Sequence, residues 1–191
     1  LLPPFYFSLS FFKTQKQVTS RYFPGEKMDE KFVKKAMDFE KAMVSFYLEK
    51  GYSASNLLVQ KLFLELAKQE IDHLVFILEF PVAGDTVKTM QTGEVEESIK
   101  EFFLRWQPVR ERQETDNIEA LTTAIEMEQA GLTMYREIVQ NSAESDRLFF
   151  TQLLQQEKQH LESLQNVHFY LTGTGDWFEE EESRRWNWMN T

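Results

Sequence analysis

Two short stretches, "EIDH" (70–73) and "EKQH" (157–160), each set a glutamate and a histidine three residues apart. On an α-helix that spacing projects both side chains from one face, about 4.5 Å apart along the axis. One metal ion can therefore meet both. The neighbours make these glutamates unusual. Glu70 shares its face with Leu66, Ala67, Leu74 and Ile77, and Glu157 with Phe150, Leu153, Leu154, Leu161 and Leu164. An unpaired carboxylate buried in such company costs on the order of several kcal/mol. Glu40 is enclosed in the same way by Ala36, Met43 and Tyr47, and Glu128 by Leu121, Ala124, Ile125, Leu132 and Tyr135. Glu65, flanked by Lys61 and Gln69, and Glu162, beside Lys158, Gln159 and Gln165, read instead as members of solvated faces.

The chain repeats this pattern. "AMDFEKAMVSFY" (36–47) matches "AIEMEQAGLTMY" (124–135) at an offset of 88, and "LFLELAKQEIDHL" (62–74) matches "FFTQLLQQEKQHL" (149–161) at an offset of 87. The residues that recur are the odd ones for a core: Glu40 with Glu128, Tyr47 with Tyr135, Glu70 with Glu157, His73 with His160. Together they supply four carboxylates and two imidazoles. Four carboxylates and two divalent cations sum to zero charge, so a neutral cluster can be buried where bare carboxylates cannot. Oxygen-rich ligation with one imidazole per metal suits iron or manganese, with zinc possible, and offers nothing soft for copper(I). Tyr47 and Tyr135 lie two turns beyond their glutamates, about 10 Å along the axis, too far to join the same ion. Their hydroxyls are expected to hydrogen-bond ligand carboxylates on facing helices. His168 follows Gln165 near a helix end and is read as an ordinary histidine. The 17 phenylalanines read as core packing and a dry wall around the metals.

Four long segments carry the 3.6-residue period needed to position these groups. They run from about Asp29 to Lys50, stopping at Gly51; from Ser55 to Phe80, stopping at Pro81; from an N-cap at Asp116 to Asn141; and from Glu144 to Leu171, ending at Gly173. Helices of this length, about 33–42 Å, are those of a four-helix bundle. Short links after the first and third predict two antiparallel hairpins, joined by a long crossover (81–115) in which "EVEESIKEFFLRW" (94–106) forms a short amphipathic helix. The expected fold is thus all-α, an antiparallel four-helix bundle over residues 28–172.

Composition narrows the function classes. The chain is 42% hydrophobic and 27% charged, with 31 acidic against 21 basic residues and a net charge of −10. That balance argues against nucleic acid and against anionic membranes as partners, and no run of about 18 apolar residues is present to span a bilayer. With no cysteine, these residues build no disulfide, thiolate metal site, cysteine nucleophile or rubredoxin-type iron centre, and a cytoplasmic location is the default expectation. "LLPPFYFSLSFF" lacks the basic flank and cleavage site of a signal peptide, and Met28 begins a stretch that reads as a natural start. Residues 1–27 are therefore expected to be an extension outside the fold. The tail (173–191) joins an acidic run to three tryptophans and is expected to cover part of the bundle or a partner chain.

The ordered constellation Glu40, "EIDH", Glu128, "EKQH" resembles the ferritin-like superfamily, and specifically the rubrerythrin-like diiron proteins, over about residues 29–172. The resemblance implies that Glu70 and Glu157 bridge two metals, that Glu40 and Glu128 each serve one metal terminally, and that His73 and His160 complete the two spheres. It further implies a non-haem diiron oxidoreductase in which hydrogen peroxide or dioxygen oxidises the buried pair, in a homodimer or higher homo-oligomer. Two departures stand out. Without a cysteine-bound iron in these residues, electrons must come from a separate donor protein. Rubrerythrins also carry a further glutamate on the third helix, about one turn after the terminal ligand, where this chain has Gly131. The alternatives are a ferroxidase or iron-storage module, a manganese catalase-like protein, and a structural dimetal bundle without turnover.

Overall fold

The computed structural model describes residues 29–79, 95–106 and 115–172. These form five helices, α1 (Glu30–Ser53), α2 (Leu57–Glu79), α3 (Val95–Trp106), α4 (Thr115–Asn141) and α5 (Glu144–Thr172). No strand occurs among the described residues, and none of their helices is long and apolar enough to cross a membrane. The expectations for the N-terminal extension and the tryptophan-rich tail fall outside the described residues, as does most of the crossover.

Local chemistry accounts for the helix ends. Asp29 caps α1, its Oδ1 accepting from the Lys31 N–H at 2.9 Å, with Glu30 beside it in the positive first turn. Asn56 does the same for α2, its Oδ1 accepting from Leu58 at 2.9 Å and Val59 at 3.2 Å, so α2 begins two residues later than expected. Helix α4 starts at Thr115, which puts Asp116 inside the first turn rather than at the cap.

Gly51 departs from expectation. It does not stop α1, which continues to Ser53, and it is buried. A Cβ there would lie 3.0 Å from Leu64 Cδ2 and 3.4 Å from Phe63 Cβ. The glycine serves close approach of α1 to α2, and that reason to be glycine is invisible in a single segment.

Helix α1 packs along α2, α4 packs along α5, and α3 lies against α2 and reaches α5. Among the described residues the core has two apolar clusters, and every long helix contributes to both. The first includes Met43, Tyr47, Leu62, Phe63, Leu121 and Leu164; the second includes Ala36, Ile77, Tyr135, Phe149 and Phe150. On each long helix an inward glutamate falls between its contributions to the two clusters, so a polar layer crosses the middle of the helical bundle.

Candidate metal centre

That layer is built from all four long helices. Helix α1 supplies Glu40, α2 supplies Glu70 and His73, α4 supplies Glu128, and α5 supplies Glu157 and His160; none is more than 1% exposed. Glu70 sits between the imidazoles, with Oε2 2.9 Å from His73 Nδ1 and Oε1 3.0 Å from His160 Nδ1. Glu40 Oε2 and Glu157 Oε1 each lie 3.2 Å from His73 Nδ1, while Glu128 Oε1 lies 3.7 Å from His160 Nδ1. The two rings stack, with centroids 5.1 Å apart and planes 10° from parallel. One donor atom each from Glu70, His73, Glu157 and His160 falls within 4.8 Å of the other three.

The tyrosines reach this layer from opposite sides. Tyr47 on α1 donates its hydroxyl hydrogen to Glu128 on α4, and Tyr135 on α4 donates to Glu40 on α1. Each glutamate thus has one oxygen oriented from a neighbouring helix. His168 stands apart, half-buried, with Nε2 3.4 Å from Thr122 Oγ1, and burial lowers its pKa.

Whether these residues suit a metal is decided by what they leave unpaired. Both carboxylate oxygens of Glu70 and of Glu157, Glu128 Oε2 and His160 Nδ1 are buried and have no hydrogen-bond partner among the described residues. A buried polar atom left so costs about 1–3 kcal/mol, and here several concentrate in one layer. Cations would meet these acceptors together, and the donor set (carboxylate oxygen and imidazole nitrogen, no sulfur) fits iron, manganese or zinc.

Without a cation the layer must hold protons. Burial and then the Glu70 charge raise Glu40 to about 8. Burial, reinforced by Glu128, Glu70 and Glu40, pushes Glu157 well above the usual carboxylate range. For His160, burial opposes the charge, but Glu70 and Glu128 overcome it and raise the group to about 9; Glu40 and Glu70 likewise raise His73. Glu70 is the exception. Burial favours its proton, yet the two imidazoles hold it well below its ordinary value. A cation entering the layer must displace the protons on His160 and Glu40, and with them those on His73 and Glu157. Metal affinity will therefore rise with pH through the window from about 8 to about 9 in which Glu40 and His160 lose their protons. Calorimetry in buffers of different ionisation enthalpy will read protons released at neutral pH and fewer at alkaline pH. An affinity flat across that window would mean the cation binds elsewhere.

Gly131 occupies the point on α4 where the resemblance implied an extra carboxylate, and the structure fills that space with an aromatic ring. A Cβ on Gly131 would lie 2.3 Å from Phe39 Cζ and 2.8 Å from Cε1. The Phe39 ring also meets Tyr135 edge-on, with centroids 6.2 Å apart. Gly131→Ala gains up to about 1 kcal/mol of helix propensity but overpacks against Phe39 at about 1–3 kcal/mol, so it should destabilise. In a Phe39→Ala background the same substitution should stabilise instead, a reversal that denaturant titration of the four-variant cycle will read.

One residue at the site was misread from sequence. Gln69, assigned to a solvated face with Glu65, is buried, and its Oε1 lies 2.7 Å from His160 Nε2. Position 69 is only about 100° around the helix from Glu70, and a long amide can swing inward from there. The available signal was the echo: Gln156 stands in the same place before Glu157 and is also buried.

A family model described as Rubrerythrin matches residues 31–168, a span that holds all six of the clustered carboxylates and imidazoles. No curated protein and no solved structure shows a significant match.

Proposed function

The chain belongs to the rubrerythrin family, and on that footing we propose that it is a non-haem diiron oxidoreductase that reduces hydrogen peroxide or dioxygen. The observation carrying this reading is the buried layer of four carboxylates and two imidazoles, in which both oxygens of Glu70 and of Glu157 and Oε2 of Glu128 lack hydrogen-bond partners among the described residues. In the proposed centre Glu40 and His73 would hold one ion, Glu128 and His160 the other, and Glu70 would be shared by both, as would Glu157 by family likeness. Bound there, a pair of iron(II) ions supplies one electron each, which with two protons reduces one hydrogen peroxide to two waters. The protein's part is to hold and enclose. Tyr47 and Tyr135 fix the orientation of the Glu128 and Glu40 carboxylates through hydroxyl hydrogen bonds. Phe149, Phe150 and Phe63, all fully buried, keep water out above and below the layer.

The bundle belongs to this proposal as well. Along α1 and α5 the chain passes from the second apolar cluster to the first, and along α2 and α4 from the first to the second. That order supports two antiparallel hairpins, α1–α2 and α4–α5, arranged as a four-helix bundle. A separate electron-donor protein, a homo-oligomeric state and a cytoplasmic site of action complete the reading.

A second reading, iron oxidation for loading or storage, is favoured by Gly131. The redox-exchanging carboxylate implied by the resemblance is absent there, and Phe39 takes its space. Metal analysis of protein purified without chelator, followed by anaerobic iron(II) loading and exposure to peroxide or air, tests both. The expected result is about two ions per chain and a near-ultraviolet ferric absorption that re-reduction removes. Rapid peroxide-driven cycling supports the oxidoreductase; accumulation of ferric iron beyond the pair supports storage. A folded chain that ignores iron(II) refutes both.

A further inference from the structure

The echoing halves of the centre act as internal controls for each other, and besides the carboxylate separations around each imidazole they differ at the outer edges of the two rings. Glu128 and Glu40 are each held by a tyrosine hydroxyl from a facing helix. Both imidazoles present Nδ1 to Glu70. Their outer nitrogens are not alike. His160 Nε2 meets Gln69 Oε1 at 2.7 Å, whereas His73 Nε2 is buried without a hydrogen-bond partner among the described residues. Gln156 occupies the place in α5 that Gln69 occupies in α2, yet it makes no such bond to His73.

The consequence follows from imidazole chemistry. A neutral imidazole binds a cation through the nitrogen that carries no proton, so coordination by Nδ1 requires the tautomer with its hydrogen on Nε2. The Gln69 carbonyl oxygen accepts that Nε2–H. It selects the binding tautomer, fixes the ring plane toward Glu70 and Glu128, and makes Nδ1 a better donor. The His73 ring has no such restraint on its outer edge.

We propose that Gln69 is a positioning residue that makes the two metal positions inequivalent, so that the His160–Glu128 position fills first and the His73–Glu40 position second. The proposal rests on the dimetal reading of the cluster and adds to it an order of filling and the residue responsible. Since the second position is the weaker, it is the one from which an ion is lost at limiting metal.

The test is anaerobic titration of the full chain with cobalt(II), read by its d–d absorption, alongside imidazole nitrogen NMR of the zinc(II)-loaded protein, in which three histidines give resolvable signals. The unaltered protein should fill in two steps, with a slowly exchanging Nε2–H on His160 and a fast one on His73. Gln69→Met, close in shape but a poor acceptor, should weaken the first step by about 10–100-fold, leave the second in place, and speed His160 Nε2–H exchange. Gln69→Glu, which still accepts from Nε2–H, should restore the two steps. Circular dichroism of each variant verifies that the helices persist. Should Gln69→Met lose its fold, the Nε2–H exchange contrast between His160 and His73 in the unaltered chain decides the matter alone. Two ions bound with both steps unchanged or equally weakened in Gln69→Met overturn this proposal and leave the dimetal reading standing. A chain that binds neither cobalt nor zinc overturns both.

Discussion

Replacing Glu70 by alanine is expected to take the protein from about two bound ions to none, and to destabilise the metal-free chain as well. Both effects have one cause. Glu70 is the carboxylate that reaches both imidazoles, at 2.9 Å and 3.0 Å, and the two rings keep it ionised despite complete burial. Removing it takes the shared ligand from the pair and strips the counter-charge from His73 and His160, which must then discharge. Breaking a buried ion pair in this way costs about 3–5 kcal/mol. Denaturant unfolding of the metal-free variant and metal counting on the same preparation check the two halves separately. Unchanged binding of two ions would show that Glu70 is not a ligand.

Glu157→Gln is expected to separate those two effects. Burial and three neighbouring carboxylates keep a proton on Glu157 in the metal-free protein. Glutamine has the shape of that protonated acid, so the metal-free stability at neutral pH should change by no more than about 1 kcal/mol. Metal binding should behave otherwise. An ion present at a hundredfold excess over its dissociation constant stabilises the fold by about 2.7 kcal/mol, and much of that gain depends on the carboxylate giving up its proton. The variant should therefore unfold like the unaltered protein in chelator and show a much smaller rise in melting temperature when iron(II) or zinc(II) is added. A full metal-induced rise in Glu157→Gln would remove Glu157 from the proposed ligand set.

Much of the site was legible because polar residues broke an otherwise regular apolar period. Glu40, Glu70, Glu128 and Glu157 each sat where the helical period demanded a hydrophobic residue, and each is buried. The internal echo located their partners on other helices without any knowledge of contacts. The misreadings have a common origin. Gly51 reads as a helix stop when judged within its own segment, but its reason to be glycine is Leu64 on another helix. Gln69 reads as surface because its neighbours Lys68 and Glu65 are polar, while its amide oxygen is directed to a histidine 91 residues away. Gly131 showed only that a carboxylate was missing; that Phe39 takes up the space is a fact about α1 lying against α4.

What the chain determines on its own is periodicity: which residues face inward, where caps such as Asp29 and Asn56 start helices, and how many oxygen and nitrogen donors the inward faces carry. Those properties follow from backbone geometry and side-chain type within one helix. What the tertiary structure alone decides is pairing across helices. It sets Tyr47 on Glu128 and Tyr135 on Glu40, places Glu70 between two imidazoles, and gives Gln69 to His160 while leaving His73 Nε2 without a partner among the described residues. The physical reason is that hydrogen bonds and metal ligation depend on separations of a few tenths of an ångström, which are fixed by how helices pack and not by the order of residues along any one of them.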